Sequence, residues 1–199
     1  QIVAAVIPFL LLPLLWLAIK AVWLGLGANP IEKMIRFIGD WALYFLLITL
    51  AMTPLRRLFK WPWPLKIRRM LGLFSFFYVC LHVVGYIVID QFFDWAEIWH
   101  DIVKRPFITL GFACLLLILP LAVTSTNAMQ RRLGRRWQQL HYLVYPLAIG
   151  AVTHYWWMVK KDITQPAICA ALLALLLGLR LYWAARRRHQ PNHPAASSA

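Results

Sequence analysis

The sequence predicts an all-α, polytopic membrane protein: a bundle of six transmembrane helices with both termini in the cytoplasm. Three observations carry that prediction. Of 199 residues, 62% are hydrophobic, more than a soluble domain of this size can bury. The apolar residues come in blocks of about 20, the length that crosses a bilayer. Only 7 acidic residues stand against 21 Lys and Arg, and the two signs are segregated along the chain. The formal charge of +14 does not indicate nucleic-acid binding, because the basic residues fall in short connections with no soluble domain to present them.

The spans read as 2–24, 31–53, 69–89, 105–124, 138–158 and 165–185. The first begins almost at residue 1 without a small-residue cleavage site, which favours a retained helix over a signal peptide. Gly25, Gly27, Asn29 and Pro30 form the first turn, with Asn29 suited to an N-cap and Pro30 to a first helical position. Pro54, Pro62 and Pro64 are expected to keep the second connection non-helical. Pro106 and Pro166 fit the first turns of the fourth and sixth helices. Pro8, Pro13, Pro120 and Pro146 lie inside spans, where neighbours can satisfy the freed carbonyls. Residues 186–199 (RRRHQPNHPAASSA, with His189 and His193) read as a basic, disordered cytoplasmic tail after a membrane domain at 1–185. No internal repeat is visible, and no connection is long enough for a soluble catalytic domain.

Charge orients the bundle. The connection 54–70 carries Arg56, Arg57, Lys60, Lys66, Arg68 and Arg69 without an acid. The connection 125–137 carries Arg131, Arg132, Arg135 and Arg136, and the C-terminal end Arg180, Arg186, Arg187 and Arg188. Every acid (Glu32, Asp40, Asp90, Asp94, Glu97, Asp101 and Asp162) falls on the other side. By the positive-inside rule the basic connections and both termini are cytoplasmic. Trp61, Trp63, Trp137 and Trp183 then mark the inner boundary, and Trp23, Trp95, Trp99, Trp156 and Trp157 the outer.

Three histidines interrupt apolar spans: His82, His141 and His154. An ionisable ring at hydrocarbon depth costs free energy and belongs in a bundle interior. His82 lies roughly 18 Å from the inner face along its helix. His141 lies about 6 Å in, and His154 roughly 20 Å further along the same span. His82 and His154 therefore share a depth on different helices, as the axial ligands of a six-coordinate haem must, since they approach a planar ring from opposite sides. A bond to a neighbouring helix, or a proton relay, stays open for each. The relay reading makes the chain a transporter or proton channel without haem, and it lacks carboxylates in span interiors, with Asp40 and Asp90 near span ends. Zinc is disfavoured because no Cys or carboxylate stands at helical spacing beside these residues. Cys80, Cys114 and Cys169 form no C-x-x-C motif and read as small buried hydrophobes; His100, in the acidic outer connection, reads as solvated.

His141 and His154 stand apart in azimuth on an ideal helix, although Pro146 between them can unwind it. Arg68, not a histidine, stands where a second inner ligand would be expected. An inner haem would be five-coordinate or take an unusual partner. Ser75, Thr153 or helix carbonyls could accept or donate to the imidazole rings.

At these residues the chain resembles the haem-binding membrane subunits of the bacterial periplasmic methionine sulfoxide reductase system, the MsrQ (YedZ) family of the ferric-reductase-like transmembrane group. The stretches that carry the resemblance are GLGANP at 25–30, ITLAMTPLRRL at 48–58, IRRMLGLFSFFYVCLH at 67–82, KRPFITLGF at 104–112, LAVTSTNAMQRRLGRRWQQLHYLVY at 121–145 and THYWW at 153–157. It implies a six-helix bundle of the ferric-reductase-like type in the bacterial inner membrane. It implies one or two b-type haems held by His82, His154 and His141. It further implies electron transfer from quinol or a cytoplasmic flavin reductase to a periplasmic molybdopterin enzyme, MsrP-type, that reduces protein-bound methionine sulfoxide. Arg68 and Arg69 stand at the family's paired-arginine position, associated with flavin mononucleotide (FMN), and two arginines at the inner boundary can pair with a flavin phosphate or haem propionate. The soluble FAD and NADPH module of NADPH oxidases has no counterpart here. A chain of this kind is an electron-transfer subunit rather than a self-sufficient enzyme. Its partner would dock on the acidic outer connection around Asp94, Glu97 and Asp101.

Overall fold

Apolar blocks of about 20 residues satisfy their backbone within a bilayer as helices, and the computed structural model, described over residues 2–60, 62–159 and 162–188, consists of helices joined by short turns, with no strand among those residues. Trp61, the tail beyond Arg188 and its His189 and His193 lie outside them.

Helix α1 (Ile2–Ile19) continues into a π-helical turn, Lys20–Leu24, that ends at Gly25 and Gly27, both with left-handed φ (70° and 79°). Helix α2 (Pro30–Phe59) is opened by Pro30 as expected. Asn29 holds the N-cap position, but its side chain donates to Glu32 (3.3 Å) instead of accepting from the backbone. Helix α3 (Trp63–Val84) starts with Pro64 in its first turn and becomes π-helical over Gly85–Asp90.

The expectation that Pro54 breaks the chain is overturned. α2 runs through it to Phe59. Proline at 54 withholds the N–H that the Leu50 carbonyl would accept, and Arg180 Nη2 donates to that carbonyl instead, at 2.7 Å.

An unforeseen helix, α4 (Trp95–Lys104), occupies the acidic connection. Asp94 caps it, accepting from the N–H groups of Ala96 (3.1 Å) and Glu97 (3.0 Å). Trp95, Trp99 and Val103 form an exposed apolar stripe that suits a lipid interface, while Ile98 and Asp101 turn inward. Helix α5 (Pro106–Val123) follows. The basic connection 125–137 is also largely helical: α6 (Asn127–Leu133), capped by Thr126, and α7 (Arg135–His141), joined at Gly134. Helix α8 (Val144–Met158) and α9 (Thr164–Arg188) complete the chain, and the Thr164 N–H donates to Asp162 at 3.0 Å. That bond and the Thr164 hydroxyl hold the Asp162 carboxyl below the usual carboxylate range.

Among the described residues, five helices are long and apolar enough to cross a membrane: Val6–Trp23, Pro30–Phe59, Trp63–Asp90, Pro106–Val123 and Thr164–Arg186. The span expected at 138–158 is divided, and its apolar part, α8, has 15 residues. Pro146 withholds its N–H from the Tyr142 carbonyl, which bonds to the Tyr145 N–H (3.1 Å), so the chain tightens for a turn between α7 and α8.

α2 is the centre of the packing. One buried cluster joins it to α1 and α3 around Phe45, Leu71 and Tyr78; the other joins it to α5, α8 and α9 around Leu47, Leu50, Ile118, Ala148 and Leu173. Leucines such as Leu116, Leu175 and Leu181 are exposed outward on the spans, where lipid covers them.

Candidate functional site

His82 near the end of α3 and His154 near the end of α8 are held in the same way. His82 Nδ1 bonds to the Ile35 carbonyl of α2 at 2.9 Å, and His154 Nδ1 to the Phe107 carbonyl of α5 at 2.6 Å. A carbonyl only accepts, so each Nδ1 carries the proton and each Nε2 keeps its lone pair. This is the tautomer and orientation that a metal-binding histidine needs, with the second ring nitrogen fixed by a backbone acceptor. Helix carbonyls thus take the ring N–H groups; Ser75 donates to the Ala42 carbonyl (2.8 Å) and Thr153 to that of Ile149 (2.9 Å).

Each ring lies against a glycine. A Cβ on Gly39 would stand 2.9 Å from His82 Nδ1, and one on Gly111 would stand 2.9 Å from His154 Cε1. The two helix pairs therefore repeat one construction, although no repeat is visible in the sequence. The bonded residues are 47 positions apart in both. A second cross-helix pair, Ala42 with Ser75 and Cys114 with Leu147, is separated by 33 positions in both. One displacement along the chain carries Ile35 to Phe107, Gly39 to Gly111, Ala42 to Cys114, Ser75 to Leu147 and His82 to His154. The α2–α3 and α5–α8 pairs are two copies of a hairpin. Few identical residues mark the copies because most positions ask only for bulk; the glycine and the histidine are where bulk fails.

His141 closes α7. Its Nδ1 bonds to the Trp137 carbonyl (3.0 Å), and its ring stacks on the Trp137 indole with centroids 3.9 Å apart. The indole N–H donates to the Thr124 carbonyl (2.9 Å), so Trp137, expected only as a boundary anchor, sets the position of this ring. His141 Nε2 is buried with no hydrogen-bond partner among the described residues. His141 thus takes its bond from its own helix, whereas His82 and His154 take theirs from partner helices.

The arginine pair is divided. Arg68 is half-buried and near His141; Arg69 is exposed and donates to Asn127 at the start of α6. Arg180, read from sequence only as a topology residue, points into the bundle from the apolar middle of α9 and donates to the Tyr145 hydroxyl and the Leu50 carbonyl, 2.7 Å each. An arginine within an apolar span was the available signal.

Two of the three acids expected at a docking surface are engaged within the fold. Asp101 is fully buried, accepting from the Tyr86 hydroxyl (2.9 Å) and pairing with Arg105 (2.9 Å), and Asp94 is occupied with capping. Glu97 alone of the three presents an uncommitted exposed carboxylate, with the exposed His100 3.8 Å away. Glu97, His100 and Asp101 have metal-ligand spacing, but the Tyr86 and Arg105 bonds already occupy Asp101. Tyr86→Phe is expected to lower stability by about 1–3 kcal/mol by depriving a buried carboxylate of a donor. Thermal unfolding in detergent measures this, and an unchanged midpoint would show that the bond contributes nothing.

Asp40 is corrected too. It lies about 15 Å along α2 from Pro30, next to Gly39, and accepts a hydrogen bond from Tyr155, the neighbour of His154. A carboxylate therefore does stand inside the bundle, beside the paired histidines.

Residues 38–152 match the family described as ferric reductase like transmembrane component. The chain is 57% identical over 186 residues to the protein-methionine-sulfoxide reductase heme-binding subunit MsrQ of Rhodospirillum rubrum, covering 93% of this chain and 89% of that one. It is 51% identical over 199 residues to the protein of the same name from Herminiimonas arsenicoxydans, covering 98% and 89%. A third, from Xanthomonas euvesicatoria, is 50% identical over 165 residues, covering 81% and 76%. With both hairpins and all three histidines inside or next to the matched region, the chain belongs to the ferric-reductase-like transmembrane family and, within it, to the MsrQ family.

Proposed function

We propose that this chain is the membrane electron-transfer subunit of a methionine sulfoxide reductase system. It would take electrons from quinol or a cytoplasmic flavin reductase and pass them, by way of b-type haem, to a periplasmic molybdopterin-dependent reductase of the MsrP type. The observation that carries this reading is the paired His82 and His154, each with its Nδ1–H committed to a helix carbonyl and its Nε2 free. Neutral imidazoles in that tautomer, with glycines beside them, fit haem iron. The printed name of the similar proteins, heme-binding subunit, supports the same assignment. Haem supplies reversible one-electron chemistry at iron when bound.

The chain's own residues do the rest. His82 and His154 would each offer an Nε2 lone pair to the iron. Gly39 and Gly111 admit the rings, and the Ile35 and Phe107 carbonyls hold them. His141, with its unpartnered Nε2, offers one ligand at the inner level, where a second haem would be held. A flavin phosphate at the inner boundary would meet Arg68, since Arg69 is engaged with Asn127. The basic connections support an inner-membrane orientation with the donor side cytoplasmic.

The second reading, a histidine-dependent proton relay without haem, is favoured by the Asp40–Tyr155 bond beside the histidines. Absorption spectra of the purified protein, oxidised and dithionite-reduced, with pyridine haemochrome quantitation, separate the two. A Soret band and a b-type reduced spectrum are expected. Protein from haem-replete cells with no Soret band would be a relay, not an electron carrier.

A further inference from the structure

The connection between the two hairpins is built on a buried carboxylate. Asp101 of α4 is fully buried, and its Oδ2 accepts from the Tyr86 hydroxyl at 2.9 Å. Arg105 Nε stands 2.9 Å from Oδ1 as an ion pair, and no hydrogen bond from a described residue reaches that oxygen. A carboxylate removed from water needs both its donor and its counter-charge, so the three side chains hold one arrangement.

Each end of that arrangement leads to a histidine. Tyr86 follows His82 by four residues along α3 and its π-helical continuation, about one turn. Arg105 is the N-cap residue of α5, and its carbonyl accepts the first helical bonds, from the N–H groups of Ile108 (2.9 Å) and Thr109 (3.1 Å). The Arg105 N–H donates to the Asp101 carbonyl (2.9 Å), and the Thr109 hydroxyl donates to the Ile102 carbonyl, so the start of α5 is tied back to α4. The turn fixed in this way contains Phe107, whose carbonyl holds His154. A continuous path of short contacts therefore joins the helix end that carries His82 to the helix start that supports His154. The path is not part of the repeated hairpin, because the displacement that relates the copies puts Met158 at the position of Tyr86. It belongs to the junction between them.

We propose that Asp101 is a positioning residue for the paired histidines, setting through Tyr86 and Arg105 the separation and relative angle of the two rings. The Ile35 and Phe107 carbonyls fix each ring to its own partner helix; Asp101 ties one hairpin to the other at that end. The proposal rests on the reading of His82 and His154 as haem ligands. A site approached from two sides works only when its ligands are held to within about 0.5 Å.

Full-length Asp101→Ala, Asp101→Asn, Arg105→Ala and Arg105→Lys proteins are purified from haem-replete cells and studied well below their unfolding midpoints, so that loss of fold is not mistaken for loss of geometry. Haem content, the low-spin spectrum and electron paramagnetic resonance g-values report on the ligand pair. Asp101→Ala and Arg105→Ala are expected to hold haem about tenfold more weakly, the low end for loss of a supporting partner, with altered g-values in what remains. Asp101→Asn, which still accepts from Tyr86, and Arg105→Lys, which keeps the charge, should lie closer to wild type. NMR of haem-depleted protein labelled at the histidine nitrogens reads the same geometry without the cofactor. The Nδ1–H resonances of His82 and His154 should shift or broaden in both alanine variants, while that of His141, held by its own helix, stays in place. Wild-type haem content, g-values and Nδ1–H resonances in the alanine variants would overturn the proposal, and Asp101 would then only stabilise the fold. If Asp101→Ala does not fold, the half-exposed Arg105 supplies the deciding variant. Wild-type protein that takes up no haem would defeat the haem reading alone, and the NMR measurement would still decide whether Asp101 positions the rings.

Discussion

His82→Ala and His154→Ala are each expected to abolish one and the same low-spin haem spectrum. The expectation follows from the hairpin repeat: the two imidazoles are supplied by equivalent positions of α3 and α8, and each is held by a carbonyl of its own partner helix. A haem held by both rings would lose one of its two ligands when either histidine is replaced, and its low-spin spectrum with it. The effect should be complete, because no other described histidine bonds to a partner helix of either hairpin; His141 is held by its own helix at the end of α7, and His100 is exposed on α4. Visible spectra of the two variants, normalised to protein, check this. Retention of the low-spin spectrum in either variant would break the pair.

The second large effect belongs to two residues that bind nothing. Gly39→Ala and Gly111→Ala place a methyl group 2.9 Å from the rings of His82 and His154, closer than atoms tolerate. The ring cannot yield cheaply, since moving it breaks the bond to Ile35 or Phe107 that fixes its tautomer. Loss of such a supporting contact typically weakens metal affinity by about 10–100-fold. Both variants should therefore reach the membrane at normal levels yet retain little haem at the outer site, as seen by haemochrome quantitation. Because the hairpins are copies, the two substitutions should act alike. A Gly39→Ala protein with full haem content would mean that α2 and α3 separate easily here, against the close approach of Gly85 to Ile35, where an added Cβ would lie 3.2 Å away.

Much of the site was legible because it is written in one dimension. The three histidines interrupt apolar blocks, and their depths follow from counting residues along helices whose direction the charges set. What was misread depended on a partner elsewhere in the chain. Pro54 looks like a breaker until Arg180, from the last helix, takes the Leu50 carbonyl. Asp101 looks like a surface acid until Tyr86 and Arg105 enclose it. Arg180 looks like a topology signal until its neighbours prove to be neutral groups and another arginine. The hairpin repeat escaped notice because tolerant apolar positions dilute its few demanding ones.

The helical class, the approximate spans, the segregation of charge and the three histidines can be read along the chain alone. Each depends on the length of an apolar run or the sign of a short connection, which the bilayer reads locally. The packed fold adds that His82 and His154 are held by helix carbonyls with a glycine against each ring, that His141 rests on Trp137, and that Arg69 is engaged with Asn127. Those are contacts between helices far apart in the chain, set by how closely two backbones approach, and residue spacing along one helix does not report that distance.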